Sequence, residues 1–256
     1  MNTQTTYEFP LNERIRVFMR LEQLFLQLSH FSAGSTIYDK RAAISVLLDI
    51  LMIFRRNDLK SELLKELDRH IKVLNQIGNS QGVDTDKLQQ LLTQLNQVSK
   101  NLYSSNGKIG VNVMESDLFQ SISQRNAIPG GSCSFDLPAF HYWLEQEDAE
   151  QQKDLERWTK PLIDIRTAIE LILNFVRHSM TPTDEIAEAG FFQMALDSSH
   201  PLQLLRVSID AELPCFAEIS GGKHRFTIRF MKPSNDENRP TQSQDDIPFS
   251  LTRCMF

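Results

Sequence analysis

Residues 161–180 read PLIDIRTAIELILNFVRHSM, and residues 202–210 read LQLLRVSID. Apolar residues recur at three- and four-residue steps in the first segment, which is typical of an amphipathic helix, and alternate with polar ones in the second, which is typical of a strand. The period changes beyond Met180. The sequence therefore predicts an α+β fold, with a mainly α-helical domain followed by a small antiparallel β-sheet domain.

Most of the chain before Met180 has apolar residues at the spacing of amphipathic helices. Asn12 or the turn at Pro10 can open the first helix, and Pro161 suits the first turn of the last one. The predicted helices span residues 11–31, about 36–56, from Asn57 or Asp58 to Gly78, from Asp84 through Val98, about 113–124, 148–158 and 161–179.

Two-residue alternation continues in CFAEIS (215–220) and HRFTIRFMK (224–232), with Gly221-Gly222 as the turn between them. TTYEF (5–9) and PFSLTRCMF (248–256) also read as strands, so we expect both chain ends to meet in one small antiparallel sheet. The predicted domains are residues 10–182, helical, and residues 1–9 plus 183–256, built of strands. The polar segment 233–246 is predicted to be a disordered loop.

The segment 128–143, IPGGSCSFDLPAFHYW, combines a Pro-Gly-Gly turn, a thiol and five aromatic or imidazole rings. Asp136 is a candidate N-cap for a helix with Pro138 in its first turn. If Asp136 caps the helix, its carboxylate points at backbone donors and His141 has no reason to face Cys133. A structural elbow with a core-packing helix therefore explains the segment better than a Cys-His active site.

The sequence also lacks other motifs that would indicate catalysis or the binding of a cofactor. The three cysteines are odd in number and widely separated, which fits free thiols in a reducing cytoplasm. The sequence has no CxxC pair, HExxH, GxGxxG or GxxxxGK[ST], and SGGKHR (220–225) fits a hairpin turn better than a phosphate loop. We therefore predict a non-enzymatic protein without a metal or cofactor. The sequence also shows no secretory signal and no apolar run long enough to cross a membrane.

Charge gives a more informative signal. The net charge is −6, but residues 181–256 hold 11 acidic and 7 basic residues, so residues 1–180 hold 22 and 20 and are close to neutral. Basic residues from separate segments could form one basic groove for an acidic peptide. Each could also be a solvated charge or part of a surface salt bridge. The alternative is a dimeric adaptor or a nucleic-acid-binding protein that uses the same basic groove, although the net negative charge disfavours binding to nucleic acid.

Four blocks, YEFPLNERIRVFMRLE, SELLKELDRH, IPGGSCSFDLPAFHYWL and ISGGKHRFTIRFM, occur in this order along the chain. Together they resemble the ZapD family of bacterial cell division proteins. The resemblance implies a dimeric, non-enzymatic protein with a helical domain and a β-domain. It also implies binding to the C-terminal tail of FtsZ, the tubulin-like division GTPase, and bundling of FtsZ filaments into the Z-ring at mid-cell in the cytoplasm.

The resemblance also suggests which residues contact the partner. The positions that match are basic: Arg16, Arg20, Arg56, Arg125, His141, Lys223, Arg225 and Arg229. One further basic position expected between Met114 and Ser123 is absent, because this segment reads MESDLFQSIS. For the dimer surface, helix 161–179, the first helix and the β-segment are all candidates, and the helical domain is favoured. No membrane or nucleic-acid partner is expected.

Overall fold

The computed structural model describes residues 3–56, 58–77, 85–105, 109–197, 202–222, 224–234 and 239–255, without the side chains of Arg56 and Ile77. By its internal contacts the chain divides into two compact units, Phe18–Ile172 and Met1–Val17 with Leu173–Phe256. We call them the helical unit and the β unit. The predicted domain limits, 10–182 against 1–9 plus 183–256, stay a prediction about which segments fold independently.

The predicted α+β class is confirmed, since helices precede strands along the chain. The helices in the described part are α1 (Glu13–Ala33), α2 (Ile37–Arg56), α3 (Leu59–Ile77), α4 (Thr85–Ser104), α5 (Val111–Met114), α6 (Asp117–Arg125), α7 (Pro138–Leu144), α8 (Asp148–Thr159) and α9 (Ile163–Arg177), with a 3₁₀ turn at Lys160–Leu162. The candidate caps Asn57 and Asp84 lie outside the described residues.

Side-chain caps explain where the first two helices begin. The Ile15 N–H donates to the Asn12 side-chain oxygen at 2.9 Å, as the sequence predicts. At the start of α2, the Asp39 N–H donates to Thr36 Oγ1, and the Thr36 N–H donates to the Asp39 carboxylate, both at 3.1 Å. This reciprocal pair satisfies two backbone donors, and the Thr36 bonds lower the pKa of Asp39.

The helical unit is held together by apolar stripes with the predicted spacing. On α1, Phe18, Leu21, Phe25 and Leu28 are buried, and comparable stripes run along α2, α4 and α9. Burial of one such side chain contributes about 1.5–3 kcal/mol. The stripes therefore supply most of the driving force for this unit, with tertiary packing outweighing local helix propensity.

One predicted helix is wrong in detail. The single helix expected over about 113–124 is two helices, α5 and α6, separated at Glu115 and Ser116. Ser116 has an extended backbone with ψ of 144°, and its hydroxyl donates to the Val113 carbonyl at 2.8 Å. A serine side chain competing for a backbone acceptor in this way favours a helix boundary.

The described residues of the β unit form two sheets, where the sequence predicts one. The strands are β1 (Gln4–Pro10), β2 (Thr183–Ala187), β3 (Phe191–Ala195), β4 (Leu202–Asp210), β5 (Phe216–Gly221), β6 (Arg225–Lys232), β7 (Thr241–Gln242) and β8 (Ile247–Met255). The first sheet has the order β1-β4-β8-β2, and the second has the order β3-β6-β5 with β7 also paired to β6. All pairs are antiparallel.

Both chain ends lie in the first sheet, as predicted, with β4 between β1 and β8. Apolar residues of the two sheets form one buried cluster, which includes Val207, Phe226, Ile228, Phe230 and Leu251. The alternation predicted for β6 is confirmed, because Phe226, Ile228 and Phe230 are buried whereas Arg225 and Arg229 are exposed.

The remaining differences concern turns and short strands. Gly221 belongs to β5 and does not form the turn, since it pairs with Phe226. The segment 233–246 is not wholly irregular: β7 lies within it, Ser243 is fully buried, and Lys232 Nζ lies 2.5 Å from the Asp245 carboxylate. Residues 235–238 of this segment lie outside the described part.

Candidate functional site

The first two predicted contact residues lie one turn apart on α1. The Arg16 guanidinium lies 3.8 Å from the Glu13 carboxylate and donates to the Pro10 carbonyl at 3.4 Å. Arg20 is exposed, and no carboxylate of the described residues lies within 4 Å of it. Arg20 is therefore the freer of the two cations for contact with a partner.

Arg125 is positioned by the elbow between α6 and α7. Its guanidinium donates to the Asp136 carboxylate in a short ion pair. The predicted N-cap role of Asp136 is therefore wrong: Leu137 occupies the cap position of α7 without a side-chain cap bond. The guanidinium is a stronger partner for the carboxylate than a backbone N–H, since both charges of the pair contribute. Pro138 is in the first turn, as predicted.

The rings of the elbow divide between core and solvent. Phe140 and Trp143 are buried, the Trp143 indole N–H donates to Asp154 at 3.1 Å, and the Trp143 ring lies 5.4 Å from Trp158. Phe135 is 83% exposed and Tyr142 is 71% exposed, so the prediction that the aromatic helix packs into the core is only partly right.

His141 also points away from the core. It is exposed, and its Nδ1 lies 3.9 Å from the Glu145 carboxylate. A pocket of about 370 Å³ at the elbow is lined by Arg125, Ile128 and Leu137, but among the described residues neither His141 nor Cys133 lines it. His141 therefore does not share with Arg125 the pocket at the elbow.

The second sheet presents two further predicted residues on its outer face. Arg225 and Arg229 are exposed on β6, where they lie opposite Ala195 and Phe191 of β3. Glu218 of β5 lies opposite Arg229 on the other side, although no ion pair of 4 Å or less joins them. Lys223 lies outside the described residues, as does the side chain of Arg56.

The six predicted residues whose side chains the structure describes fall in two groups. Arg16, Arg225 and Arg229 belong to the β unit, whereas Arg20, Arg125 and His141 belong to the helical unit. That all of them line one basic groove stays a prediction.

A cleft of about 490 Å³ in the helical unit is lined by none of the six predicted contact residues whose side chains the structure describes. Apolar and polar residues both line it: Leu51, Phe54, Arg55, Ile109, Gly110, Val111, Met114, Glu115, Gln120, Ser123 and Gln124. Gly110 has φ of +76°, which glycine adopts readily, and a Cβ there would lie 2.5 Å from Leu51 Cδ2. Another residue at this position would be strained in its backbone and would require the Leu51 side chain to shift. In the sequence, the glycine at position 110 is the signal that could have pointed to this cleft, since the apolar lining residues resemble ordinary core positions.

The cysteines differ in environment. Cys133 is exposed, Cys215 is half-buried and Cys254 is fully buried. Burial raises the pKa of Cys254 to about 11, so its thiol stays protonated at neutral pH. Among the described residues, no group of three or more His, Cys, Asp and Glu side chains could hold a metal ion.

No helix in the described ranges is both long and apolar enough to span a bilayer.

Comparison with known proteins bears on the whole chain. A family model described as "ZapD: Cell division protein" matches residues 19–229. The chain is similar to the cell division protein ZapD of Methylococcus capsulatus, with 47% identity over 256 residues, 100% of both chains. It is also similar to those of Nitrosomonas eutropha, with 40% identity over 97% of this chain and 98% of the relative, and Nitrosomonas europaea, with 38% identity over 98% and 95%.

The fold and these matches define a cell division protein. The chain belongs to the ZapD family, and the predicted resemblance is confirmed.

Proposed function

We propose that this protein binds FtsZ through the FtsZ C-terminal tail and cross-links FtsZ filaments, promoting assembly and stability of the Z-ring. The observation that carries this proposal is the full-length similarity to cell division proteins of the ZapD family. Exposed cations in both units, including Arg20, Arg225 and Arg229, support contact with an acidic partner. The protein acts without catalysis, in the cytoplasm at the division site.

Cross-linking requires two binding sites in one particle. A tail bound to a single protomer joins nothing, whereas a two-fold dimer presents two equivalent sites and can join two filaments. Each contact can be weak, because the many tails along a filament raise the effective concentration. We therefore propose a homodimer, with the helical domain as the favoured dimer surface.

The first test replaces the pair on α1. We expect Arg16→Glu with Arg20→Glu to abolish co-sedimentation with FtsZ polymers while helix content and dimerisation are retained. A matched control reverses two exposed lysines elsewhere, Lys72→Glu with Lys153→Glu, which carries the same change in net charge. Pelleting that is unchanged in the first variant, or lost equally in both, would remove α1 from the site.

The second test concerns the partner. Deletion of the FtsZ C-terminal tail should abolish the rise in light scattering that accompanies bundling, and full bundling of tail-less FtsZ would contradict the proposal. Bundling should also weaken with salt, because the Debye length falls from about 10 Å at 0.1 M to about 3 Å at 1 M.

Two other classes of function make different predictions. A nucleic-acid-binding protein would retard DNA or RNA with a steep salt dependence, which the net charge of −6 disfavours. An enzyme that depends on Cys133 would lose its function in Cys133→Ser without unfolding, whereas the proposed adaptor would keep it.

A further inference from the structure

The outer edge of β3 has backbone groups that make no hydrogen bond to another described residue. β3 ends its sheet and pairs with β6 on one side. The Phe230 N–H donates to the Gly190 carbonyl and the Leu196 N–H donates to the His224 carbonyl, both at 2.8 Å. Because bonding alternates along an antiparallel strand, Gln193 directs its N–H and C=O away from β6. The same holds for Ala195.

Among the described edge strands of five or more residues, β3 is the one that lacks protection against pairing. Sheet edges are commonly guarded by charged residues or proline. β1 carries Glu8 and Pro10, β2 carries Asp184 and Glu185, and β5 carries Glu218. β3 reads FFQMA and has neither a charge nor a proline. In the described part of the β unit, β3 is therefore the edge best suited to accept another strand.

The edge is accessible from solvent. Gln193 and Ala195 are exposed and Phe191 is 37% exposed, whereas Phe192 and Met194 point to the opposite face and pack against the buried cluster. The strand is thus anchored through one face and presents its backbone and its other face outward. An added strand would need no rearrangement of the core.

Three arginines surround this uncharged strand. Arg225 and Arg229 project from β6 on the outer face, and the Arg253 guanidinium contacts Met194 Sδ at 3.4 Å on the other face. None of the three has a carboxylate within 4 Å among the described residues. Strands in a sheet are about 4.8 Å apart, so a strand added to β3 would place its side chains about 10 Å from β6. Arginine and glutamate side chains can together bridge that distance.

We infer that β3 binds an extended acidic peptide by β-strand addition. Outward groups of Gln193 and Ala195 supply main-chain hydrogen bonds, and Arg225, Arg229 and Arg253 select carboxylates. A second copy of this chain fits the edge less well, because a five-residue strand buries far less than the roughly 1,200 Å² typical of stable interfaces. The site shares two arginines with the proposed function, but it does not require FtsZ as the source of the peptide.

The probe is a fluorescein-labelled octapeptide that alternates glutamate with threonine, and the measurement is fluorescence anisotropy. Its matched control has the same side chains but carries N-methyl groups on alternate residues, which removes the main-chain donors that would face β3. We expect the methylated peptide to bind at least tenfold more weakly. Equal binding of both peptides would show attraction by charge alone and would overturn the inference without any protein variant.

A protein variant tests the same bonds from the other side. Gln193→Pro removes an outward N–H and spares the ladder to β6, whereas the control Gln193→Thr keeps the N–H and suits a strand. We expect at least a tenfold loss of binding in the first and little change in the second. Unchanged peptide binding in a folded Gln193→Pro would overturn the inference. A second pair of results would also overturn it: the octapeptide does not bind, and Gln193→Pro no longer dimerises. A second copy of the chain would then occupy the edge.

FtsZ co-sedimentation separates this inference from the proposed function. If Gln193→Pro loses the peptide but still pellets with FtsZ polymers, strand addition holds and FtsZ is bound elsewhere. If the octapeptide fails to bind while FtsZ still pellets, the inference fails and the proposed function stands.

Discussion

The Arg125 guanidinium is bound by the Asp136 carboxylate, which joins the end of α6 to the residue two positions before α7. This pair fixes the elbow and competes with any acidic partner for Arg125. Arg125 can reach such a partner only by exchanging one carboxylate for another. Its contribution to binding is therefore expected to be smaller than that of Arg20, which has no carboxylate within 4 Å in the described part of the chain.

A double-mutant cycle on this pair tests its role. We expect Asp136→Asn and Arg125→Gln each to lower the free energy of unfolding by less than about 1 kcal/mol, with a coupling of about 0.5 kcal/mol, because both side chains are partly exposed. Urea denaturation measures both quantities. A loss near 2 kcal/mol in Asp136→Asn alone, without coupling to Arg125, would restore the helix-cap role.

The pair between Lys40 and Asp148 should matter more for stability. Lys40 is 1% exposed, and its Nζ lies 2.8 Å from the Asp148 carboxylate, which itself is 59% exposed. Asp148→Ala leaves a buried ammonium group without its partner, and we expect a loss of about 2–3 kcal/mol in the free energy of unfolding.

Two variants control this prediction. Glu150→Ala removes an exposed carboxylate 3.7 Å from Lys153 and should cost less than about 0.5 kcal/mol. Lys40→Met in the Asp148→Ala background should recover most of the loss, because no buried charge remains. A double variant as unstable as Asp148→Ala would contradict this explanation.

Two glycines with nearly the same positive φ should respond differently to substitution by alanine. Gly190 and Gly130 have φ of +71° and +72°. A Cβ at Gly190 would lie 2.7 Å from the Ser243 carbonyl oxygen, whereas a Cβ at Gly130 would have no atom within 4 Å. We expect a loss of about 1 kcal/mol for Gly130→Ala, from backbone strain alone, and about 3 kcal/mol or more for Gly190→Ala. Thermal unfolding of the two variants checks this, and equal losses would rule out the steric contribution.

Because the Cys254 thiol is buried, we expect the folded protein to lose stability at alkaline pH. Burial raises the pKa of the folded thiol from 9.0 to about 11, so the unfolded chain ionises first as the pH rises. The stability contributed by the protonated thiol is complete below pH 9 and is lost as the pH rises through 11, by about 2 kcal/mol between pH 8 and pH 10.5. The difference in unfolding free energy between the wild type and Cys254→Ala isolates this loss from other groups. A difference that stays constant with pH would contradict it.

Strong periodicity made most elements predictable. The stripes on α1, α2 and α9 and the alternation in β4, β6 and β8 each reflect one buried face, which a single sequence reveals directly. β2 and β3 were missed because TDEIA buries only Ala187 and FFQMA has no polar alternation. Asp136 does not cap α7 because its carboxylate pairs with Arg125, eleven residues away. Local sequence preferences for helix caps do not take account of such a distant partner. Whether distant arginines converge is likewise decided by tertiary structure.

The pairing of β1 with β4 determines the order in which parts of the chain can fold during synthesis. Gln4 pairs with Asp210 and Pro10 with Leu204, so the first strand leaves the ribosome about 200 residues before its partner. β4 then needs β8, which ends at Met255, for its other edge. The segment that forms the helical unit is complete before β4 is made, whereas β1 must remain unpaired until then. Contacts this distant in sequence are slow to form, so the first sheet is expected to be the last part of the newborn chain to acquire its native structure.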